Sequence, residues 1–334
     1  MRPRMMTIAV ALAAAVTGVV TVVPSSATKA ATAPALPAGL ARPSAPPVPS
    51  RIAVHFDLAK GQMPENIAVG PDGTAYVTFA AARQVAAVTP SGGTRILATL
   101  PAPADGGVNT PVLKFALTTG IVRMTDGTLY FLYASGDAAS TGLYRLRPGG
   151  VPQRIAALPA GGLPNGLAFD AVAKRFYLTD SVLGTISTVA LGGGRVEVWS
   201  SAPELAAAGF LGANGIKVRA DAVWATNLDQ GTLLRIPSRH GRPGGVQVVA
   251  TGLVGIDDFA FAGAGDQRVI ATLNGPNTVV SIDAAGRART LLTAGDGLQN
   301  PTSVALRGRT LYVLSAAYTT GVDPNLALAT LPRR

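Results

Sequence analysis

The amino-acid sequence predicts an all-β protein, a six-bladed β-propeller with four antiparallel strands per blade. Three observations support this class: a composition rich in turn-forming residues, six copies of one hairpin pattern, and an N-terminal strand that can complete the last copy. Of 334 residues, 39 are glycine and 25 are proline, whereas 14% are charged and none is cysteine. Such a composition is atypical of disordered segments and coiled coils, and it excludes disulfide scaffolds and cysteine-based zinc or thiol chemistry.

The N-terminal 50 residues differ in composition from the rest of the chain. Arg2 and Arg4 precede an uncharged apolar run over 8–23, and small residues follow it. This pattern predicts a secretory signal peptide over 1–30, followed by an Ala/Pro-rich linker over 31–50. An uncleaved membrane anchor is the alternative, but a run of 16 residues is short for a membrane span. We therefore expect bacterial secretion to the extracellular space, with no stable membrane insertion after cleavage.

The positive charge of the chain is spread over its length. The net charge is +10, but residues 1–50 contain four basic and no acidic residues, so 51–334 carry +6. The basic residues form no cluster and do not alternate with aromatic residues. The sequence therefore predicts no nucleic-acid partner.

Residues 51–334 contain six copies of one unit, which we interpret as the propeller domain. The first copy, over 65–77, is an apolar run, an Asp-Gly turn and a second apolar run, which together indicate a β-hairpin. Related patterns occupy 121–131, 165–178, 214–225, 258–271 and 302–313. A third alternating strand follows each hairpin, and a fourth follows in five copies. Four antiparallel strands recurring every 43 to 54 residues are typical of propeller blades.

The sixth copy lacks a fourth strand, because the chain ends soon after its third strand. Residues 51–58 form an apolar strand pattern that belongs to none of the copies. We expect this strand to become the outer strand of the last blade, which closes the ring and removes exposed sheet edges. A β-sandwich is the alternative, but it does not explain six copies in register.

One position near the start of each first strand carries a side-chain oxygen in all six copies. The first strand of a blade lines the central channel, so these side chains should surround the channel mouth. In order, the residues of this ring are Glu65, Thr119, Asn165, Asn214, Asp257 and Thr302. Two carboxylates and two carboxamides suit a divalent hard cation, so Ca²⁺ is expected on Glu65, Asn165, Asn214 and Asp257. Alternatively, polar residues at strand starts serve only as turn caps.

The second strand of each blade returns to the same face, so the loops that follow it should form the pocket wall. These loops include 179–181, 226–229, 274–277 and 318–320. Asp180 lies in the first of them and is a candidate for contact with substrate. A single loop carboxylate is, however, commonly an ordinary turn residue.

With these motifs, the chain resembles the senescence marker protein/gluconolactonase family, within the calcium-dependent six-bladed propellers that include paraoxonase and strictosidine synthase. The resemblance covers about 51–331 and rests on Pro64-Glu65, on Asn165-Gly166 with the segment 176–181, and on the segment 227–231. It implies that a Glu, an Asn and an Asp bind a divalent metal and that the Asp assists proton transfer. Glu65 and Asn165 match the first two of these residues.

The third residue departs from the family pattern, because Asn214 stands where those members have Asp. A carboxylate appears one blade later, at Asp257-Asp258, which is similar to the paraoxonase arrangement. The histidines of paraoxonase are missing from the ring, since His55 and His240 are both predicted outside the channel. The segment 67–73 is also similar to streptogramin lyase propellers, which use central histidines that this ring lacks.

Two functions remain open from the sequence. The first is metal-assisted hydrolysis of a lactone or related ester by a monomer, in which Asp257, Asp258 or Asp180 takes a proton from the attacking water. A serine hydrolase is disfavoured because no Gly-x-Ser-x-Gly motif with a histidine partner occurs. The second function is ligand or partner binding by a secreted propeller that uses the ion only structurally.

Overall fold

A computed structural model describes residues 48–263 and 265–332 and shows the six-bladed, four-stranded propeller that the sequence predicts. The predicted signal peptide and residues 31–47 of the predicted linker lie outside the described residues. Strand β1 (Ser50–His55) comes first and belongs to the last blade. None of the helices in the described part of the chain is long and apolar enough to cross a membrane.

The first three blades follow one another along the chain, and each is a four-stranded antiparallel sheet with its strands in sequence order. Blade one contains β2 (Pro64–Val69), β3 (Ala75–Phe79), β4 (Gln84–Val88) and β5 (Thr94–Thr99). Blade two contains β6 (Leu117–Arg123), β7 (Leu129–Ala134), β8 (Gly142–Leu146) and β9 (Gln153–Ala157). Blade three contains β10 (Pro164–Asp170), β11 (Arg175–Asp180), β12 (Thr185–Ala190) and β13 (Val196–Ser200).

Blade four carries one additional short strand, and blades five and six return to the four-stranded pattern. Blade four contains β14 (Ala213–Arg219), β15 (Ala222–Asn227), β16 (Thr232–Arg239), β17 (Arg242–Pro243) and β18 (Gln247–Ala250). Blade five contains β19 (Ile256–Phe261), β20 (Val269–Leu273), β21 (Thr278–Ile282) and β22 (Ala288–Leu292). Blade six contains β23 (Pro301–Arg307), β24 (Thr310–Ser315), β25 (Asn325–Thr330) and β1.

The N-terminal strand closes the ring as predicted, because β1 pairs antiparallel with β25, with Ser50 opposite Ala329 and His55 opposite Asn325. The strand is shorter than predicted and ends at His55 rather than at residue 58. The side chain of Asp57 accepts a hydrogen bond from the backbone N–H of Lys60 and starts a 3₁₀ turn over Leu58–Lys60. Two further 3₁₀ turns occupy Pro203–Leu205 and Ala294–Asp296.

The extra strand of blade four arises from a tight hairpin. β16 and β17 are joined by the two residues His240 and Gly241, both with positive φ (49° and 76°). Paired positive φ values are typical of the two-residue turns that match the twist of a hairpin. The indole N–H of Trp199 in blade three donates to the carbonyl of Gly241 at 2.8 Å, so the tip of the hairpin contacts the preceding blade.

Apolar clusters between neighbouring blades form the core. Between blades three and four, for example, Tyr177 and Trp199 pack with Ile216, Val223 and Ile236. The first strands of the six blades contact one another in a closed ring, β2–β6–β10–β14–β19–β23 and back to β2. This ring of first strands surrounds the central channel and positions the candidate site.

Candidate metal centre

The six ring residues lie at a backbone irregularity that recurs in every blade. Each first strand shifts register against its second strand near its beginning, for example between Pro164 and Leu167 and between Ala213 and Ile216. Ring residues Asn165 and Asn214 lie inside these shifts, and the other four blades show the same irregularity. A β-bulge leaves the extra residue outside the ladder and re-aims its side chain. The repeated bulge therefore brings one polar side chain per blade to the channel mouth.

Threonine hydroxyls connect the bulges of successive blades. Thr226 Oγ1 accepts from the backbone N–H of Gly215 at 2.8 Å and donates to the carbonyl of Asp257, in the next blade, at 2.6 Å. Thr272 joins Asp258 N–H to the carbonyl of Thr302 at 3.2 and 3.0 Å. Because these hydroxyls satisfy buried backbone groups on both sides, they hold the backbone of one ring residue against its neighbouring blade.

Glycines beside the ring permit the close approach of adjacent first strands. A Cβ atom on Gly166 would lie 2.3 Å from the carbonyl oxygen of Asn214, and one on Gly120 would lie 2.5 Å from that of Asn165. No real Cβ makes contacts this short, so blades two and three require glycine after the ring residue. These two glycines allow the backbones of the first strands of blades two, three and four to pack closely.

Glu65 is buried at the mouth and receives a hydrogen bond from a distant loop. The phenolic O–H of Tyr318 donates to Glu65 Oε2. Burial raises the pKa of Glu65 to about 7, and the hydrogen bond from Tyr318 opposes this rise. Burial and the nearby Glu65 carboxylate raise the pKa of Tyr318 well above its ordinary value, so the phenol stays a donor.

The loop that carries Tyr318 is held by Asn300. Its Oδ1 accepts from the backbone N–H and the hydroxyl of Thr319 at 2.8 and 3.0 Å. Ala317, just before Tyr318, adopts φ = 57° and turns the chain toward the channel. Asn300 is itself 1% exposed, so the support of Tyr318 is part of the buried structure.

Asp257 faces the same buried mouth and is contacted by carboxamides. Asn274 Nδ2 donates to Asp257 Oδ2 at 3.2 Å, and the nearby Asn214 carboxamide also favours the ionised form of this carboxylate and lowers its pKa. Burial raises the pKa of Asp257 well above its ordinary value, and the Glu65 and Asp258 carboxylates add to the rise. No Lys or Arg in 48–263 or 265–332 forms an ion pair with Glu65 or Asp257.

The orientation of the Asn165 carboxamide follows from a short chain of hydrogen bonds. Ser181 Oγ donates its hydrogen to the carbonyl of Ala213 at 2.6 Å, and it therefore accepts from Asn165 Nδ2 at 3.1 Å. With its amide N–H engaged in this way, Asn165 keeps Oδ1 as a free acceptor. The carboxamide thus presents an oxygen, as a ligand of a hard cation must.

Asp258, a predicted catalytic residue, is engaged in an ion pair between blades. Both of its carboxylate oxygens accept from Lys217 Nζ, at 2.6 and 2.9 Å. Asp258 is 2% exposed, and its carboxylate lies beside Gly215. A Cβ added to Gly215 would lie 2.5 Å from Asp258 Oδ1. Lys217 was not among the predicted site residues, because its alternating position in β14 resembles that of any surface lysine.

Asp180, the third predicted catalytic residue, binds backbone amides. Its Oδ1 accepts from the N–H groups of Leu163, Val182 and Leu183 at 2.9, 3.1 and 2.9 Å. Burial nevertheless raises the pKa of Asp180 above its ordinary value. The carboxylate ties two mouth-face loops of blade three together, as a turn residue does.

The two histidines lie away from the mouth. His55 is on β1, the outer strand of blade six, and its Nδ1 lies 2.8 Å from Asp323 Oδ1. His240 lies in the exposed β16–β17 hairpin. Across the described ranges, no three His, Asp or Glu side chains form a cluster that could hold a metal. Any cation at the mouth would therefore depend on carboxamide oxygens as well as on Glu65 and Asp257.

Apolar side chains from the mouth-face loops of five blades pack against one shared cluster, and we call them the apolar rim. They pack against a buried cluster that includes Leu117, Leu163 and Leu211. Asp229 Oδ2 fixes one of these loops by accepting from the backbone N–H groups of Ala208 and Phe210 at 2.8 and 2.7 Å. The members of the rim are Met63, Leu113, Phe115, Val182, Phe210, Leu228 and Tyr318. Blade five contributes none of them and instead presents Asn274 beside Asp257.

Tyr318 and Asn274 were not among the predicted site residues, although both lie in loops predicted to form the pocket wall. Each follows the second strand of its blade, which is the signal that placed those loops at the mouth. The Tyr318–Glu65 contact depends on the folded ring, because it joins blades six and one across 253 residues, whereas Asn274 contacts Asp257 within blade five, 17 residues away. The structure brings Glu65, Asn165, Asn214 and Asp257 to one mouth and directs Asp180 and Asp258 into structural contacts.

Comparison with known proteins gives structural neighbours only. No family model matches the chain, and no curated protein sequence matches it. The calcium-binding protein regucalcin of Agrobacterium tumefaciens superposes with a TM-score of 0.62 at 18% identity, covering 85% of this chain and 94% of the other. A gluconolactonase of Xanthomonas campestris gives 0.60 at 14% identity, with coverage of 87% and 99%.

A third neighbour is a catalytically inactive virginiamycin B lyase of Staphylococcus aureus with quinupristin, with a TM-score of 0.58 at 17% identity and 82% coverage of both chains. At these identities the likeness establishes a shared fold. The chain is therefore a six-bladed β-propeller whose structural neighbours include regucalcin and gluconolactonase, in agreement with the resemblance seen in the sequence.

Proposed function

We propose that this protein is a secreted, metal-dependent hydrolase that acts on a lactone or related ester bearing an apolar group. The observation that carries the proposal is the pair Glu65 and Asp257, two buried carboxylates at one channel mouth without a cationic partner in the described ranges. Buried carboxylates are strongly disfavoured unless they are protonated or paired, and a divalent cation would neutralise both.

The donor atoms at the mouth fit a hard cation. Glu65 and Asp257 supply carboxylate oxygens, Asn165 supplies a carboxamide oxygen whose orientation is set by Ser181, and Asn214 supplies a second carboxamide. An all-oxygen set with charge −2 favours Ca²⁺ over zinc or copper. When bound, such an ion supplies Lewis-acid polarisation of the substrate carbonyl and charge stabilisation of the oxyanion.

We assign the general base to Asp257 rather than to Asp258 or Asp180. Asp258 is occupied by Lys217, and Asp180 by three backbone amides, whereas Asp257 is held by neutral carboxamides. Asp257 would take a proton from water as the water oxygen bonds to the carbonyl carbon. The ester C–O bond then breaks, and the proton passes from Asp257 to the leaving oxygen.

The remaining residues orient groups and exclude water. The hydrogen bond that Tyr318 donates favours the ionised form of Glu65 and so opposes the effect of burial on its pKa. The apolar rim provides a surface for an apolar substituent and lowers the local polarity, which strengthens electrostatic effects at the carbonyl. Together with the signal peptide predicted over 1–30, these features support an enzyme that meets small lactones or esters outside the cell.

The first experiment is metal analysis of the purified protein, followed by a panel of lactones and aryl esters with and without a chelator. Asp257→Asn should lower kcat by at least about 100-fold, the scale expected for loss of a general base. The matched control is Asp283→Asn, which removes a carboxylate from a surface turn. Chelator-resistant hydrolysis, or an unchanged rate in the Asp257 variant, would contradict the proposal.

The second candidate is a binding protein that uses the ion structurally. It is favoured by the structural contacts of Asp180 and Asp258, two of the three predicted catalytic carboxylates. A protein that binds stoichiometric Ca²⁺ but hydrolyses no member of the panel would support this candidate. A protein that binds no divalent ion would contradict both candidates, because each depends on the ring.

A further inference from the structure

A cavity lies at the end of blade three that is opposite to the channel mouth. Its volume is about 280 Å³, and its walls come from the β10–β11 turn, from the end of β12 and from the segment that leads into β13. The residues that matter here are Lys174, Arg175, Thr188, Arg195 and Glu197. The proposed hydrolase chemistry uses none of them, since the ring residues lie at the opposite ends of these strands.

Local hydrogen bonds hold both walls in place. On one side, Asp170 Oδ1 accepts from the backbone N–H groups of Val172 and Ala173, both at 2.9 Å. On the other side, Gly194 N–H donates to the carbonyl of Ile155 in blade two at 2.8 Å, and Leu191 N–H donates to the carbonyl of Lys174 at 3.0 Å. The cavity is therefore shaped before any ligand arrives, which reduces the entropic cost of binding.

The charge of the cavity is unbalanced. Lys174, Arg175 and Arg195 contribute three positive charges, whereas Glu197 is the one acidic residue among those that line it. Glu197 lies 3.5 Å from Arg195, and both side chains are mostly exposed, so their mutual attraction is weak. Two positive charges of the lining are therefore left without a partner inside the cavity.

Arg175 is the residue that points most directly to a ligand. Its Nε is buried and has no hydrogen-bond partner in the described part of the chain. A buried donor without an acceptor is unfavourable, and more so in a charged group. Arg123 and Arg145 also have a buried Nε without a partner, but Arg175 is the one of the three that lines this cavity, where its planar guanidinium suits the paired oxygens of an oxyanion.

We propose that this cavity binds a tetrahedral oxyanion of the phosphate type, carried on a small organic molecule. Arg175 would donate from the cavity wall, Lys174 and Arg195 would approach from the two turns, and the Thr188 hydroxyl lies on the same wall. The excess charge of two matches a phosphate dianion better than a single carboxylate. The volume exceeds that of a bare phosphate ion, so an organic group can share the cavity.

The test is a titration with inorganic phosphate, followed by calorimetry and by NMR of the arginine side chains. Arg175→Gln and Lys174→Asn should each weaken binding about tenfold or more, because each removes a charge-assisted hydrogen bond. Asn is chosen at position 174 because Lys174 has φ = 50°, which Asn tolerates. The matched control is Arg289→Gln, which removes one charge from the exposed outer strand of blade five.

The outcomes separate a specific site from general attraction to a basic protein. The proposal is supported if phosphate binds, acetate does not, and only the two cavity variants lose affinity. It is overturned if phosphate does not bind, if acetate binds equally well, or if Arg289→Gln weakens binding as much as Arg175→Gln. Lys174 is exposed, so its variant keeps the test valid even if replacement of the half-buried Arg175 impairs folding.

Discussion

Tyr318 donates its phenolic hydrogen to the carboxylate of Glu65, joining blade six to blade one across 253 residues of sequence. The contact spans the junction where the N-terminal part of the chain meets the end of the ring. It stabilises the ionised form of a carboxylate that burial otherwise favours in the protonated form. The hydrogen bond therefore links closure of the propeller to the metal affinity proposed for its mouth.

Replacing Tyr318 by Phe should weaken Ca²⁺ binding, and more strongly at low pH than at high pH. Without the donor, the pKa of Glu65 rises further above about 7, so the proton competes better with the metal. We expect a loss of about tenfold or more in affinity at pH 6, from one lost charge-assisted hydrogen bond, and a smaller loss at pH 9. Calcium titration by calorimetry at the two pH values measures this difference.

The control for this experiment is Tyr312→Phe. Tyr312 lies in the same blade, but its hydroxyl donates to the carbonyl of Gly73 at 3.2 Å, at the opposite face of the propeller. An equal loss of affinity at both pH values in Tyr318→Phe would contradict the competition between proton and metal.

In the presence of a chelator, the protein should lose stability as the pH rises from 5 to 8. The pKa of Glu65 is about 7 in the folded protein and 4.5 in the unfolded chain. Between pH 4.5 and about 7, the folded state therefore binds more protons than the unfolded state. Stability then falls as the pH rises, by about 3 kcal/mol for Glu65 alone at 1.36 kcal/mol per pKa unit. The pKa of Asp257 is also raised, so this residue acts in the same direction.

Urea denaturation at several pH values measures this dependence. Glu65→Gln should flatten the curve, because its amide does not titrate. Exposed turn carboxylates such as Asp72 have a lowered pKa and titrate below this window. A stability that rises from pH 5 to 8 in the chelated protein would show that Glu65 is not held in the protonated form.

The Lys217–Asp258 ion pair should be needed for stability rather than for catalysis. Lys217→Met leaves the buried Asp258 carboxylate without its partner, and we expect it to destabilise the protein by about 2 kcal/mol. This is less than the about 3–5 kcal/mol typical of fully buried ion pairs, because the Lys217 side chain is 28% exposed. Asp258→Asn should keep most of the hydrolytic rate, whereas Asp257→Asn should not. If Asp258→Asn lowered kcat without changing the melting temperature, the general base would be Asp258 rather than Asp257.

Replacing Gly166 by Ala should destabilise the propeller by about 2 kcal/mol or more, through overpacking between blades three and four. The added Cβ would lie 2.3 Å from the carbonyl oxygen of Asn214, and neither backbone can move without disturbing the ring. The control is Gly161→Ala, since a Cβ there meets no atom within 4 Å. Thermal unfolding of the two variants compares them directly, and equal midpoints would contradict the close-approach argument.

Much of the fold could be predicted from local pattern. Six hairpins and their third strands appear near the predicted positions because apolar alternation and turn residues are properties of short segments. The strand pattern over 51–58, which belongs to none of the six copies, correctly predicts the closing strand. The strand ends at His55, earlier than predicted, because Asp57 caps a 3₁₀ turn that apolar periodicity does not reveal.

By itself, the sequence determined the propeller class, the number of blades and the ring of six polar residues, because all three are encoded in a repeat register. The tertiary structure decided which of the predicted acidic residues are bound by backbone amides or by a lysine. From the sequence, Asp180, Asp257 and Asp258 were equivalent candidates for the general base. In the structure, backbone amides donate hydrogen bonds to Asp180, and Lys217 forms an ion pair with Asp258. The acceptor of a hydrogen bond and the sign of a neighbouring charge depend on which blades meet, and a one-dimensional pattern does not contain that information.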